Sequence, residues 1–97
     1  MGNLVIFPGK SLNDQDLFLR TVFEISKNKA ERESSNPSDI DIRAQGASFG
    51  ELWQVINREK AIINDMASSM KSKGLLSIAS HVCFLTRDGI DRVRSMM

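Results

Sequence analysis

Between residues 59 and 89 the apolar pattern changes period twice, and this constrains the fold more than any other feature. Ile62, Ile63, Met66, Ala67 and Met70 recur at steps of three and four, the spacing of one helical face, with Lys60, Asn64, Ser68 and Lys71 opposite. Gly74 is placed to end that helix in a left-handed conformation, and Lys71 and Lys73 just before it suit the carbonyl end. Two short apolar runs follow, Leu75-Leu76-Ser77-Ile78 and Val82-Cys83-Phe84-Leu85, around a tight turn near Ala79-Ser80-His81. Thr86 can then cap a last helix over 87–97, with Asp88 in its first turn and Ile90, Val93 and Met97 turned inward. The spacing therefore predicts a helix over 58–73, a hairpin over 75–85 and a closing helix.

Upstream, Ser48 and Glu51 have capping-box spacing, which predicts a helix over 48–55 carrying Phe49, Leu52 and Trp53, somewhat weakened by Gly50. Ser11 with Asp14, or Asn13, starts a first helix over about 12–30. Its apolar residues Leu17, Phe18, Leu19, Val22, Phe23 and Ile25 make an unusually wide stripe. Either a small domain wraps this helix fully, or the stripe has a second buried contact across a homodimer. Residues 31–39 are polar and turn-rich and read as a loop, since Pro37 biases Asn36 away from helical geometry. Ile40-Asp41-Ile42 alternates and reads as an edge strand. Residues 1–10, with Leu4-Val5-Ile6-Phe7 closed by Pro8-Gly9, read as a short strand, a packing arm or a partly ordered tail.

A chain of 97 residues makes one domain and buries about two-thirds of the surface it exposes unfolded. The net charge of +1 argues against a nonspecific nucleic-acid coat. The charge is unevenly spread: six Lys or Arg stand against eight Asp or Glu through Glu51, and seven against four from Leu52 onward. One cysteine, Cys83, permits no internal disulfide and suits a reducing compartment. No apolar run approaches the roughly 20 residues of a membrane span, so no membrane partner is expected. The first residues lack a basic leader and cleavage site, and Ile6 stands where a myristoylation signal needs Ser or Thr. A cytoplasmic location is the expectation.

Taken in order, residues 40–97 resemble the winged helix-turn-helix of MarR-type transcriptional regulators. Leu52 opens the pattern, Ile63, Met66 and Met70 fill the inward positions, and Met70 to Leu75 reproduces the family's Leu-x-x-x-Gly-Leu helix ending with Met for Leu. Leu85-Thr86-Arg87-Asp88-Gly89 matches the signature that follows the wing. The resemblance implies a mostly α fold with a small β-hairpin wing. The departures are Trp53 where a small residue is usual, Arg58 at a commonly apolar position, a short wing without an Arg-rich tip, and no counterpart of the long C-terminal dimerisation helices.

The resemblance also implies that the 58–73 helix enters the major groove of double-stranded DNA. Asn64 then pairs with adenine, Lys60 reaches guanine or a phosphate, Arg58 and Lys71 neutralise phosphates, and Ser68 adds a polar contact. His81, at the hairpin tip, is an exposed turn residue or a phosphate contact. The competing reading is a solvated helix face, favoured by Glu59 and Asp65, whose carboxylates repel phosphate. On that reading the scaffold is a protein-interaction module. A lone His lacks the partners of a zinc site, Asp39 and Asp41 lack the further carboxylates of a calcium loop, and Cys83 reads as a core residue. Met66, Met70, Met96, Met97 and Trp53 read as core or interface packing rather than a ligand site. No Ser-His-Asp set, Cys-His pair, phosphate loop or HExxH pattern can be assembled, so neither enzyme nor cofactor nor small-molecule ligand is expected.

Overall fold

The computed structural model describes residues 14–96; the expectations for the arm at 1–10, for caps at Ser11 and Asn13 and for Met97 lie outside them. In chain order the elements are α1 (Asp14–Glu33), α2 (Asp39–Gln45), β1 (Ala47–Ser48), α3 (Phe49–Val55), α4 (Lys60–Ser72), β2 (Leu76–Ala79), β3 (Val82–Leu85) and α5 (Arg87–Met96). The described chain is mostly helical. Its strands form one antiparallel sheet in the order β1-β3-β2.

The wide stripe of α1 is consumed inside the domain. Leu17, Phe18, Leu19, Val22 and Phe23 are all buried, and α1 packs on α2, α4, α5, β1 and β3. A helix surrounded on several sides needs apolar residues on several sides, which explains the width without a second subunit. Ile63, Met66, Ala67 and Met70 of α4, Leu76, Cys83 and Leu85 of the hairpin, and Ile90 and Val93 of α5 complete one cluster.

Two upstream expectations are corrected. Ile40-Asp41-Ile42 is helical rather than an edge strand, and the loop expected over 31–39 shrinks because α1 continues to Glu33 and α2 begins at Asp39. A capping box decides the matter: Ser38 Oγ accepts from the Asp41 N–H at 3.3 Å, and the Ser38 N–H donates to Asp41 Oδ2 at 3.0 Å. The helix buries Ile42 and leaves Ile40 74% exposed, so the apparent alternation was two faces of a helix. The two-residue β1 carries no sequence signature of its own. It is a strand because Ala47 and Ser48 lie beside Cys83 and Val82 of β3.

The hairpin closes through Ser80 and His81, both with positive φ (51° and 63°), as a two-residue type I′ turn requires. The Phe49 N–H donates to His81 O at 3.0 Å, tying the tip to the start of α3. At the other end of the hairpin, Thr86 Oγ1 donates to Gly74 O (2.7 Å) and accepts from the Gly89 N–H (3.0 Å), while the Thr86 N–H donates to Leu75 O (3.2 Å). One residue thus joins the end of α4, the root of the hairpin and the cap of α5.

Candidate nucleic-acid interface

The surface in question is the outer face of α4, and its presentation begins in α3. Ser48 and Glu51 form the capping box of α3, with the Glu51 N–H donating to Ser48 Oγ at 3.1 Å and the Ser48 N–H to Glu51 Oε1 at 2.9 Å. Lys29 of α1 reaches the same carboxylate oxygen at 2.6 Å, fixing α3 to the long helix. Burial is the largest single influence on Glu51 and raises its pKa. The hydrogen bonds from Lys29 and Ser48 and the Lys29 charge together outweigh it and leave the carboxyl below its ordinary value.

Residues 56–59 turn the chain from α3 into α4, with the Ile56 N–H on Leu52 O and the Arg58 N–H on Ile56 O, both at 2.9 Å. Inward packing of Ile63, Met66, Ala67 and Met70 then sets the roll of α4 about its axis. The helix ends as the sequence predicts. Gly74 sits at φ +77°, the Leu75 N–H reaches Met70 O and the Gly74 N–H reaches Lys71 O, both at 3.0 Å, which is a Schellman termination.

With the roll fixed, Lys60, Asn64, Ser68 and Lys71 lie along one exposed flank of α4. Arg58 is exposed in the preceding turn, where its Nη1 donates to Asn57 O at 2.9 Å. His81 is exposed at the hairpin tip, on a separate element. The structure therefore collects four of the six candidates on one helix, puts a fifth at its entrance and sets His81 apart.

Three details were not legible in the pattern. Ile62, expected to face inward, is 41% exposed, because Ile63, Met66, Ala67 and Met70 already fill the buried face. Lys60 Nζ sits 4.7 Å from the centroid of the half-buried Trp53 ring, a cation–π contact that holds the ammonium against α3. Phe49 lies beside that ring, with centroids 6.2 Å apart. Lys73 is a further exposed cation at the end of α4, donating to Gln15 Oε1 at 2.7 Å, and Gln15 Nε2 donates to Ser69 Oγ at 3.0 Å. The long charged and amphipathic residues here give little periodic signal, so their partners emerge only with the fold.

Arg58, Lys60, Lys71 and Lys73 supply positive charge around α4, against Glu59 and Asp65. The cations outnumber the carboxylates around the helix, four to two. Among the described residues no group of three His, Cys, Asp or Glu is placed to hold a metal ion. Cys83 is buried in β3, and burial pushes its thiol up to about 11, so the thiolate is scarce at neutral pH. No described helix is long and apolar enough to cross a membrane. No family model matches the chain, and neither curated proteins nor solved structures give a match.

Proposed function

We propose that the chain is a winged helix-turn-helix domain that binds double-stranded DNA through α4, as a small transcriptional regulator of the MarR type. The observation that carries this reading is the placement of α4. It is the second helix of a pair joined by a four-residue turn, residues 56–59, it is followed directly by a β-hairpin, and its polar flank faces outward. The order α2-β1-α3-α4-β2-β3, with β1 pairing back onto β3, supports the same reading. Arg58, Lys60 and Lys71 would neutralise phosphates, and Asn64 and Ser68 would meet base edges. The hairpin with His81 would lie over the backbone as the wing. A homodimer would place two such helices about one helical turn apart.

Fluorescence anisotropy with a labelled duplex tests this reading. Affinity should fall as salt rises, and Lys60→Glu combined with Lys71→Glu should abolish binding while the circular dichroism spectrum stays unchanged. Absence of binding at low salt rejects the proposal.

One observation favours a second reading. Ile62 on α4 is a large apolar side chain left 41% exposed beside Asp65, a combination that also suits a protein partner. On this reading the scaffold is an interaction module. The Lys60 and Lys71 charge reversals would then leave its binding largely intact, while Ile62→Asp would remove it.

A further inference from the structure

We infer that the outer face of α2, together with Phe84 of β3 and the start of α5, docks a partner protein through an acidic amphipathic helix. Ile42 of α2 is buried in the core. Ile40 lies about 200° around the same helix and is 74% exposed, the most exposed large apolar side chain among the described residues. Isolated apolar residues on a surface are ordinary, whereas an apolar patch with shaped hollows marks an interaction site.

Ile40 and Arg43 line two neighbouring hollows. One, of about 370 Å³, extends to Ala44 and Phe84, and the other, of about 330 Å³, extends to Arg87, Ile90 and Asp91. Phe84 lies on the outer side of the hairpin, because Cys83 and Leu85 on either side of it are buried. Gly46 packs against its ring, where a Cβ would meet Phe84 Cδ1 at 2.8 Å, yet the side chain is only half-buried. No residue lining either hollow belongs to α4, so this surface is separate from the one proposed for DNA.

Charge specifies the occupant. Asp39 is paired with Arg94 at 2.5 Å. Arg43 and Arg87 are exposed and form no ion pair with another described residue, and Asp91 is the other carboxylate among the described residues that line the hollows. Two cations beside an exposed isoleucine and a half-buried phenylalanine call for apolar side chains flanked by carboxylates. A helix supplies them, since residues three and four apart are neighbours on one face. One apolar side chain then enters each hollow, and Asp or Glu beside it meets Arg43 or Arg87. Nucleic acid would offer phosphates to the arginines but no apolar cover to Ile40 and Phe84. Residues 1–13 of the chain carry Lys10 and no carboxylate, so they lack the complementary charge.

The test selects peptides of about five helical turns from a displayed random library on the full chain. The selected peptides are then titrated into isotope-labelled protein. The expected result is a consensus with apolar residues three or four apart flanked by Asp and Glu, and amide shifts in α2, β3 and the first turn of α5. Ile40→Asp should weaken these peptides at least ~10-fold, with an unchanged circular dichroism spectrum. Arg43→Glu combined with Arg87→Glu should weaken them similarly, and exchanging the peptide carboxylates for lysines should restore binding to that variant, which a folding defect could not produce. No selected peptide, a consensus without carboxylates, shifts elsewhere on the domain, or full binding by Ile40→Asp overturns the inference. Three further outcomes assign the surface to another occupant and overturn it equally. They are a dimer in sedimentation that Ile40→Asp dissociates, nuclear Overhauser contacts from Ile40 to residues 4–7 in the free chain, and a duplex that shifts Arg43 and Arg87.

Discussion

At the scale of single residues, the Leu85-Thr86-x-x-Gly89 signature has a structural explanation that is independent of any ligand. Thr86 uses its hydroxyl both as donor to Gly74 O and as acceptor from the Gly89 N–H. A Cβ at Gly89 would sit 2.1 Å from the Leu75 carbonyl oxygen, so α5 can approach the root of the hairpin only with glycine there. Backbone cannot swing aside as a flexible side chain can. Gly89→Ala should therefore cost about 3 kcal/mol or more, at the upper end of overpacking penalties. Thr86→Ala should cost about 1–2 kcal/mol through a lost cap and an unpaired carbonyl, and Thr86→Ser should recover most of it. Urea unfolding of the three variants gives the comparison, and a Gly89→Ala protein as stable as wild type would contradict the close approach. These residues were legible as a motif in the sequence, whereas the reason for them was not, since Gly74 and Thr86 come together only when the hairpin folds.

At the scale of elements, the same capping box that announced α3 through Ser48 and Glu51 also announces α2 through Ser38 and Asp41. Three alternating residues at 40–42 pointed to a strand, but three residues are too few to separate period 2 from a short helix with one buried and one exposed isoleucine. The cap was the better signal. Ile62 went astray for a related reason. It sits at the edge of an apolar stripe, where spacing alone does not say whether the core extends that far. The hairpin offers a prediction at this scale. Ser80 and His81 occupy left-handed positions that cost L-residues about 1–2 kcal/mol each, partly offset by the folding entropy that glycine would lose. Replacing the pair by Asn-Gly should raise stability by about 1 kcal/mol, seen as a higher thermal midpoint. No gain would mean that the His81 side chain contributes contacts offsetting its backbone cost. The Lys29–Glu51 pair between α1 and α3 offers another. The Glu51 pKa is lowered in the folded state, so its contribution is present above the ordinary value of 4.5 and is lost as pH falls through the lower folded value. The wild-type advantage over Glu51→Gln in urea should accordingly be visible near neutral pH and vanish in acid. An advantage that persists or grows in acid would contradict the assignment.

At the scale of the whole molecule, a net charge of +1 is compatible with DNA binding only if few cations do the work and they are gathered in one place. Arg58, Lys60, Lys71 and Lys73 meet that condition around α4, while Arg92 and Arg94 of α5 are paired with Asp16 and Asp39, at 2.9 Å and 2.5 Å. The number of cations sets the salt dependence. Four phosphate contacts from one copy give a slope of log affinity against log salt of about −3 to −4, and two copies on one duplex give about −7. The slope thus separates a monomer on DNA from the proposed homodimer without a structure of either complex. Lys71→Ala should flatten it by about one unit per copy bound, with affinity falling similarly on all duplexes, because a phosphate contact carries no sequence information. Lys60 provides the internal control. Trp53→Leu would release its ammonium from the ring, and the slope should then stay the same or steepen. A measured slope steeper than about −7 would place phosphate contacts outside the α4 face and require a larger interface than these four cations provide.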